Sequence, residues 1–315
     1  MNRNSILVDC HQDIAYSVRA NRRLFEENIN KLMISHDSLV NSNINIIFST
    51  IFVSHRRRDA YYDEALSQIK LYENIFKKYK NFYHLTNKKY LDKIPEKKIG
   101  LYFLMEGAEP INEIKDLNMF YKKGVRTIGL TWNDENKYAF GVSKDGPLKK
   151  DGIKLINKMN DLGISLDLSH LSEKSFISAI KETKLIPIAS HSNCKKIRRH
   201  ERNLKDKQLK EISDRGGVIG IVLYNKFISS KKNVSISDIF PHFKNILNIC
   251  GEDHISLGSD IDGAPIEDFP KEIRKPSDFE KIGDMLKKNK IKQRTIDKFF
   301  GQNIHRVLKE NLKKK

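Results

Sequence analysis

The chain has 315 residues, 39% hydrophobic and 31% charged, with 58 Lys and Arg against 40 Asp and Glu for a formal net charge of +18. It is long enough to bury a sizeable core, and no stretch approaches the roughly 18 consecutive apolar residues that a membrane-spanning helix needs. Cys10, Cys194 and Cys250 have no CxxC or paired spacing, which speaks against a disulfide framework and against a structural cysteine-zinc site.

The basic balance invites a nucleic-acid reading, but the lysines are scattered over most predicted helices, as in Lys77-Lys78-Tyr79-Lys80 and Lys287-Lys288-Asn289-Lys290, rather than grouped on one face. A solvated positive surface is expected, with no nucleic-acid or membrane partner. The N-terminal residues enter a polar-interrupted strand and not a signal-peptide apolar core, so the chain reads as cytoplasmic. Short apolar runs alternate with amphipathic patterns, without a long linker, low-complexity tract or repeat, and residues 1–315 read as one domain.

In chain order, the first strand, 5–8, runs into Asp9-Cys10-His11-Gln12-Asp13. Alternate residues of an extended segment share a side, so His11 and Asp13 can chelate one ion. The second strand, 44–53, precedes Arg56-Arg57-Arg58, which either attracts a carboxylate substrate or is a solvated turn. The third, 99–105, delivers Glu106-Gly107, and Glu106 is the natural ligand to bridge two cations. A fourth strand is expected at 126–131; the fifth, 164–169, ends at His170, and the sixth, 185–190, ends at His191, giving two imidazoles for a second ion. After strands at 217–223 and 254–258 comes Gly258-Ser259-Asp260-Ile261-Asp262-Gly263, where Asp260 is the candidate proton-transfer group. Helical patterns fill the gaps at 59–80, 111–123, 146–162, 173–183, 205–215 and 236–249, with Ser172 and Ser235 among the candidate caps.

Eight such repeats predict an α/β fold, a closed parallel barrel whose catalytic groups gather at the C-terminal ends of the strands. All five metal-capable residues and Asp260 fall there. Imidazole and carboxylate together suit divalent zinc.

The residues also carry a family resemblance. Val8-Asp9-Cys10-His11-Gln12-Asp13, Met105-Glu106-Gly107, Gly129-Leu130-Thr131-Trp132-Asn133, Asp167-Leu168-Ser169-His170, Ser190-His191-Ser192-Asn193, Arg202-Asn203-Leu204, the Gly258 to Gly263 segment and Gly301-Gln302-Asn303 follow one another across nearly the whole chain. Together they resemble the membrane dipeptidase (renal dipeptidase-like) family of metal-dependent hydrolases, in its bacterial-type form. The resemblance implies a (β/α)8 TIM barrel, a homodimer, and zinc-dependent hydrolysis of dipeptides by a hydroxide between two ions. It places His11 and Asp13 on the first zinc, His170 and His191 on the second, and Glu106 on both. Asp260 would pass the proton onward, Arg202 would meet the substrate's terminal carboxylate, and Tyr224 would match a further pocket position. Trp132 stands where the mammalian pattern has a histidine, and Cys10 and Gln12 replace a frequent Gly and Asn. A hydrolase of another small amide, an N-acyl amino acid or a β-lactam-like ring, is the alternative within the same fold, because substrate choice lives in the loops.

Overall fold

The computed structural model describes residues 6–27, 31–54 and 60–312, and the Arg56-Arg58 cluster lies outside them. Eight parallel strands pair in the order β1 (Val8–Gln12), β2 (Ile46–Phe52), β4 (Ile99–Glu106), β5 (Val125–Gly129), β6 (Ser165–Asp167), β7 (Ile188–Ala189), β8 (Val218–Ile221) and β9 (Ile255–Leu257). The predicted α/β architecture is thus present as a nearly closed TIM-type barrel with helices between the strands. β2 and β4 are buried along their whole length, as expected of apolar strands covered on both faces.

A ninth strand, β3 (Phe82–His84), was not expected. It pairs with Ile99–Leu101 on the early half of β4, while β5 takes the later half from Phe103 onward. Three residues are too short a run for periodicity to reveal. Inside the barrel, Val8, Cys10, Ile46, Phe48, Tyr102, Leu104, Ile188 and Val218 form one apolar cluster, completed by Ile304, Val307 and Leu308 of the helix Asn303–Asn311. Gly301 precedes that helix because a Cβ there would lie 2.3 Å from the Ile6 carbonyl oxygen, and Asn303 donates to the Glu252 and Ile255 carbonyls. The Gly301-Gln302-Asn303 motif is therefore structural.

The first strand corrects an expectation. It spans Val8–Gln12, so His11 lies within it, and Asp13 is not extended but stands at the start of the helix Ile14–Ala20. Pairing with β2 slips between Asp9 and Gln12. Such a bulge re-aims side chains, so His11 and Asp13 meet through a bulge and a turn and not through simple alternation. The polar run hid the strand from a hydrophobicity reading, although the Asp9 carboxylate is satisfied, chiefly from across the barrel seam. Asp9 accepts from the Ser259 backbone N–H at 2.8 Å, the Ser259 hydroxyl at 2.5 Å and Gln12 at 2.8 Å. The barrel closes here, by Asp260 N–H donating to His11 O at 3.0 Å and a bridge between Gln12 and Ile261.

Two helices also start later than expected. The fourth-strand helix begins at Lys150, after Pro147, and the pattern at 111–123 resolves into a 3-10 turn at Ile114–Asp116 followed by Leu117–Lys122. Ser172 does cap its helix, accepting from Ser175 N–H at 3.3 Å, and Ser235 N–H is held by the Asp238 carboxylate at 3.0 Å. Among the described residues no helix is long and apolar enough to cross a membrane.

Candidate active site

The strand ends bring His11, Asp13, Glu106, His170, His191 and Asp260 to one buried centre. Glu106, the last residue of β4, lies on the inward face shared with Tyr102 and Leu104, and its two oxygens point to different partners. Oε1 is 2.9 Å from His170 Nε2 and 3.5 Å from His191 Nε2, while Oε2 is 3.5 Å from His11 Nε2. His11 Nε2 also faces Asp13 Oδ2 at 3.7 Å and Asp260 Oδ1 at 3.9 Å. His170 and His191 meet Nε2 to Nε2 at 2.8 Å.

The outer atoms of these groups are tied down. Asn133 Oδ1 sits 2.8 Å from His170 Nδ1, and Thr50 donates to Asp13 Oδ1 at 2.6 Å. His170, Asp260 and Asp262 have left-handed backbones, with φ of 66°, 63° and 65°. Each costs about 1 kcal/mol for a non-glycine residue, strain that collects at functional rims. The Asp262 carboxylate anchors its loop by accepting from Met33 N–H at 2.7 Å, Ser17 Oγ at 3.0 Å and Ile34 N–H at 3.2 Å.

Electrostatics show what the centre attracts. Burial opposes charge on His11, yet the carboxylates of Glu106, Asp13 and Asp260 outweigh it and push its pKa up to about 10. Burial would raise Glu106, but His11 and His170 hold its carboxyl well below the usual range. Burial and the neighbouring Glu106 raise Asp13, against the pull of His11, and bring Asp260 up to about 6. Burial and the Arg202 guanidinium press His170 down to about 3, and burial with His11 and Arg202 lowers His191. The centre therefore collects positive charge next to neutral imidazoles.

A divalent cation fits this arrangement. His11 Nε2 is fully buried without a hydrogen-bond partner, and ligand-type atoms of His11, Glu106 and His191, and of His11, Asp13 and Asp260, lie within 4.8 Å of one another. Two donors placed about 2.1 Å from one ion at a tetrahedral angle stand about 3.4 Å apart, which is the scale of the His11 spacings. Mixed imidazole and carboxylate donors match zinc and its neighbours in the first transition series.

Beside the centre opens a cavity of about 410 Å³, lined by Tyr16, Phe52, Trp132, Tyr224 and Phe227, with Asp13, Glu106, His170 and Asp260 also in its wall. Phe52 packs against Tyr16 at 5.1 Å and Trp132 at 5.3 Å, and Tyr224 against Phe227 at 4.8 Å between ring centroids. Trp132 and Tyr224 are thus at the centre's edge. Arg202 is placed differently: it lines a smaller cavity of about 180 Å³, which shares His170 with the larger one. Its Nη2 donates to His191 O at 3.0 Å, and its buried Nε has no hydrogen-bond partner. Burial draws its pKa down to about 10, while Asp260 and Glu106 support its charge.

The sequence reading missed Asn133, Thr50, Tyr16, Phe52 and Phe227, and also Asp167 and Ser190, since the Ser190 hydroxyl lies 2.8 Å from His191 Nδ1 and donates to Asp167 Oδ2. Asn133, Asp167 and Ser190 lay inside the recognised motifs, so proximity to a ligand was the available signal. The aromatic residues gave none, since a lone ring in a strand or short helix reads as core.

Comparison with known proteins gives consistent results. The profile of the family described as "Membrane dipeptidase (Peptidase family M19)" matches residues 1–315. An uncharacterized protein in the pqqA 5' region of Klebsiella pneumoniae is 34% identical over 227 residues, 68% of this chain and 83% of that protein. An uncharacterized dipeptidase of Schizosaccharomyces pombe is 28% identical over 339 residues, covering 96% of this chain and 80% of its own. Among solved structures, a metallo peptidase from Rhodobacter sphaeroides, liganded with a phosphinate mimic of the dipeptide L-Ala-D-Ala, superposes with a TM-score of 0.87 at 21% identity, covering 98% of this chain and 100% of the other.

Proposed function

Because this chain belongs to the membrane dipeptidase family of metallopeptidases, we propose that it hydrolyses the peptide bond of dipeptides, L,L and L,D, with two divalent cations, zinc first among them. The observation that carries the reading is the division of Glu106, one oxygen toward His170 and His191 and the other toward His11. His11 and Asp13 would hold one ion, His170 and His191 the other, and Glu106 both. Cations there supply Lewis acidity toward the scissile carbonyl and lower the pKa of water, so that a nucleophile exists near neutral pH.

The chain's own residues do the rest. Asp260 Oδ1 faces the same point as His11 Nε2, 3.9 Å away. It takes the proton released by the attacking water and returns it to the leaving amine, as base and then acid. Asn133 keeps the His170 ring aimed at Glu106 through its Nδ1. Arg202 offers its unpartnered Nε to the substrate's terminal carboxylate, and a guanidinium so placed selects short peptides. Arg202→Ala is therefore expected to raise KM for a dipeptide by about 10- to 100-fold, the equivalent of one charged hydrogen bond, and to erase discrimination against the C-terminal amide. Unchanged discrimination, measured on the two substrates side by side, removes Arg202 from this role.

The aromatic side chains that line the larger cavity, Tyr16, Phe52, Trp132, Tyr224 and Phe227, suit an apolar substrate side chain. Trp132→Ala should lower kcat/KM for dipeptides containing Phe or Leu about tenfold more than for Ala-Ala. Equal losses on both substrates would mean that Trp132 shapes the metal centre instead.

The deciding experiment is amino-acid release from a panel of L,L and L,D dipeptides by metal-stripped protein, before and after zinc is restored. Release that returns with zinc supports the reading. Absence of release from every dipeptide, with zinc demonstrably bound, overturns it.

A further inference from the structure

We infer that the Ser190 hydroxyl, held by Asp167, is a positioning group that fixes the tautomer of one histidine from each of the two proposed metal positions, His191 and His11. The inference rests on the metal reading above. Ser190 follows β7, and Asp167 ends the neighbouring β6. The hydroxyl oxygen lies 2.5 Å from Asp167 Oδ2, 2.8 Å from His191 Nδ1 and 3.3 Å from His11 Nδ1. The two rings it touches lie side by side, their centroids 3.8 Å apart.

A hydroxyl has one proton to give and two lone pairs to receive. Its other acceptor, Ser169 Oγ, is at 3.5 Å and is outcompeted by a carboxylate oxygen a full ångström nearer. Asp167 is arranged purely as an acceptor, because Oδ1 already takes the backbone N–H of Ser169 at 3.0 Å and of Ser190 at 2.9 Å. The serine proton therefore goes to Asp167 Oδ2. Both remaining lone pairs then face imidazole Nδ1 atoms, and each is satisfied only if that nitrogen carries a hydrogen. With Nδ1 protonated on both rings, neutral His191 presents a bare Nε2 lone pair, and His11 keeps its Nδ1 hydrogen and frees Nε2 when a cation takes the place of the Nε2 proton. Those are the atoms that face Glu106 Oε1 at 3.5 Å and Glu106 Oε2 at 3.5 Å respectively. One buried hydroxyl thus readies a ligand for both positions, so the two metal affinities are coupled through a residue that touches neither ion.

Asp167→Asn separates this role from simple packing, since the two side chains have the same shape. The amide oxygen must stay on Oδ1's side to receive two backbone N–H groups, which turns its NH2 toward Ser190. The serine lone pair is then taken by the amide, and the hydroxyl proton swings to the nearer imidazole, His191 Nδ1. His191 must answer as the Nε2–H tautomer, which cannot ligate. Zinc titration against a chelating dye should show two tight equivalents for the parent protein, and affinities weaker by about 10- to 100-fold for Asp167→Asn and Ser190→Ala. In the metal-free proteins, nitrogen-15 spectra of the imidazoles should show His191 protonated at Nδ1 in the parent and at Nε2 in Asp167→Asn. If Asp167→Asn binds both zinc equivalents as the parent does and keeps His191 protonated at Nδ1, the inference is wrong while the dipeptidase reading stands. If the parent binds no zinc, both fall together.

Discussion

Glu106→Ala is expected to lower kcat/KM for every dipeptide by at least about a thousandfold, some 4 kcal/mol of transition-state stabilisation. The size follows from the number of jobs the carboxylate has. Its two oxygens stand between three imidazole nitrogens, at 2.9 Å from His170 and at 3.5 Å from both His191 and His11. Alanine leaves the second position with two neutral imidazoles and no anionic donor, so zinc content should fall from two equivalents to at most one. Glu106→Gln is the more informative partner variant. It keeps one oxygen and replaces the other by an NH2 that cannot ligate, so it should retain the volume and lose the bridge. Two zinc equivalents and parental turnover in Glu106→Ala, with the fold checked by circular dichroism, would refute the bridging assignment.

Asp260→Asn should reduce kcat by about 10²- to 10⁴-fold, the usual contribution of a positioned acid-base group, with little change in KM. Asparagine is the right replacement because Asp260 has a left-handed backbone, φ 63°, which Asn tolerates and most residues do not. The loop and its N–H bond to His11 O should survive. Zinc binding decides between two roles for this carboxylate, since it groups with His11 and Asp13 within ligand range. Two equivalents retained at reduced kcat mean a proton carrier. Loss of one equivalent means that Asp260 is itself a ligand, and the proton must travel elsewhere.

Local sequence made much of this site legible. Glu106, His170 and His191 each sit at or just beyond the end of a strand whose apolar run is visible in the chain, so type and position were readable without any tertiary information. The first strand was harder. Asp9, His11 and Gln12 interrupt its hydrophobic run, and what holds Asp9 lies far away: Ser259, 250 residues on. A periodicity argument placed the strand too early and derived the meeting of His11 with Asp13 from alternation. The slip in pairing between Asp9 and Gln12 is what brings them together. Strand β3 escaped for a related reason, because three residues against the early half of β4 carry no period of their own.

The identity of the donor atoms, their order along the chain and the alternation of strand and helix belong to the sequence by itself, because each depends on a residue and its nearest neighbours. The split of Glu106 between partners, the cavity that Arg202 lines and the aromatic wall from Tyr16 to Phe227 belong to the tertiary structure. So does the hydroxyl of Ser190, which reaches His11 across 179 residues of chain. Which lone pair meets which proton is set by barrel closure and strand register, and these are fixed by pairing between segments that no local pattern links.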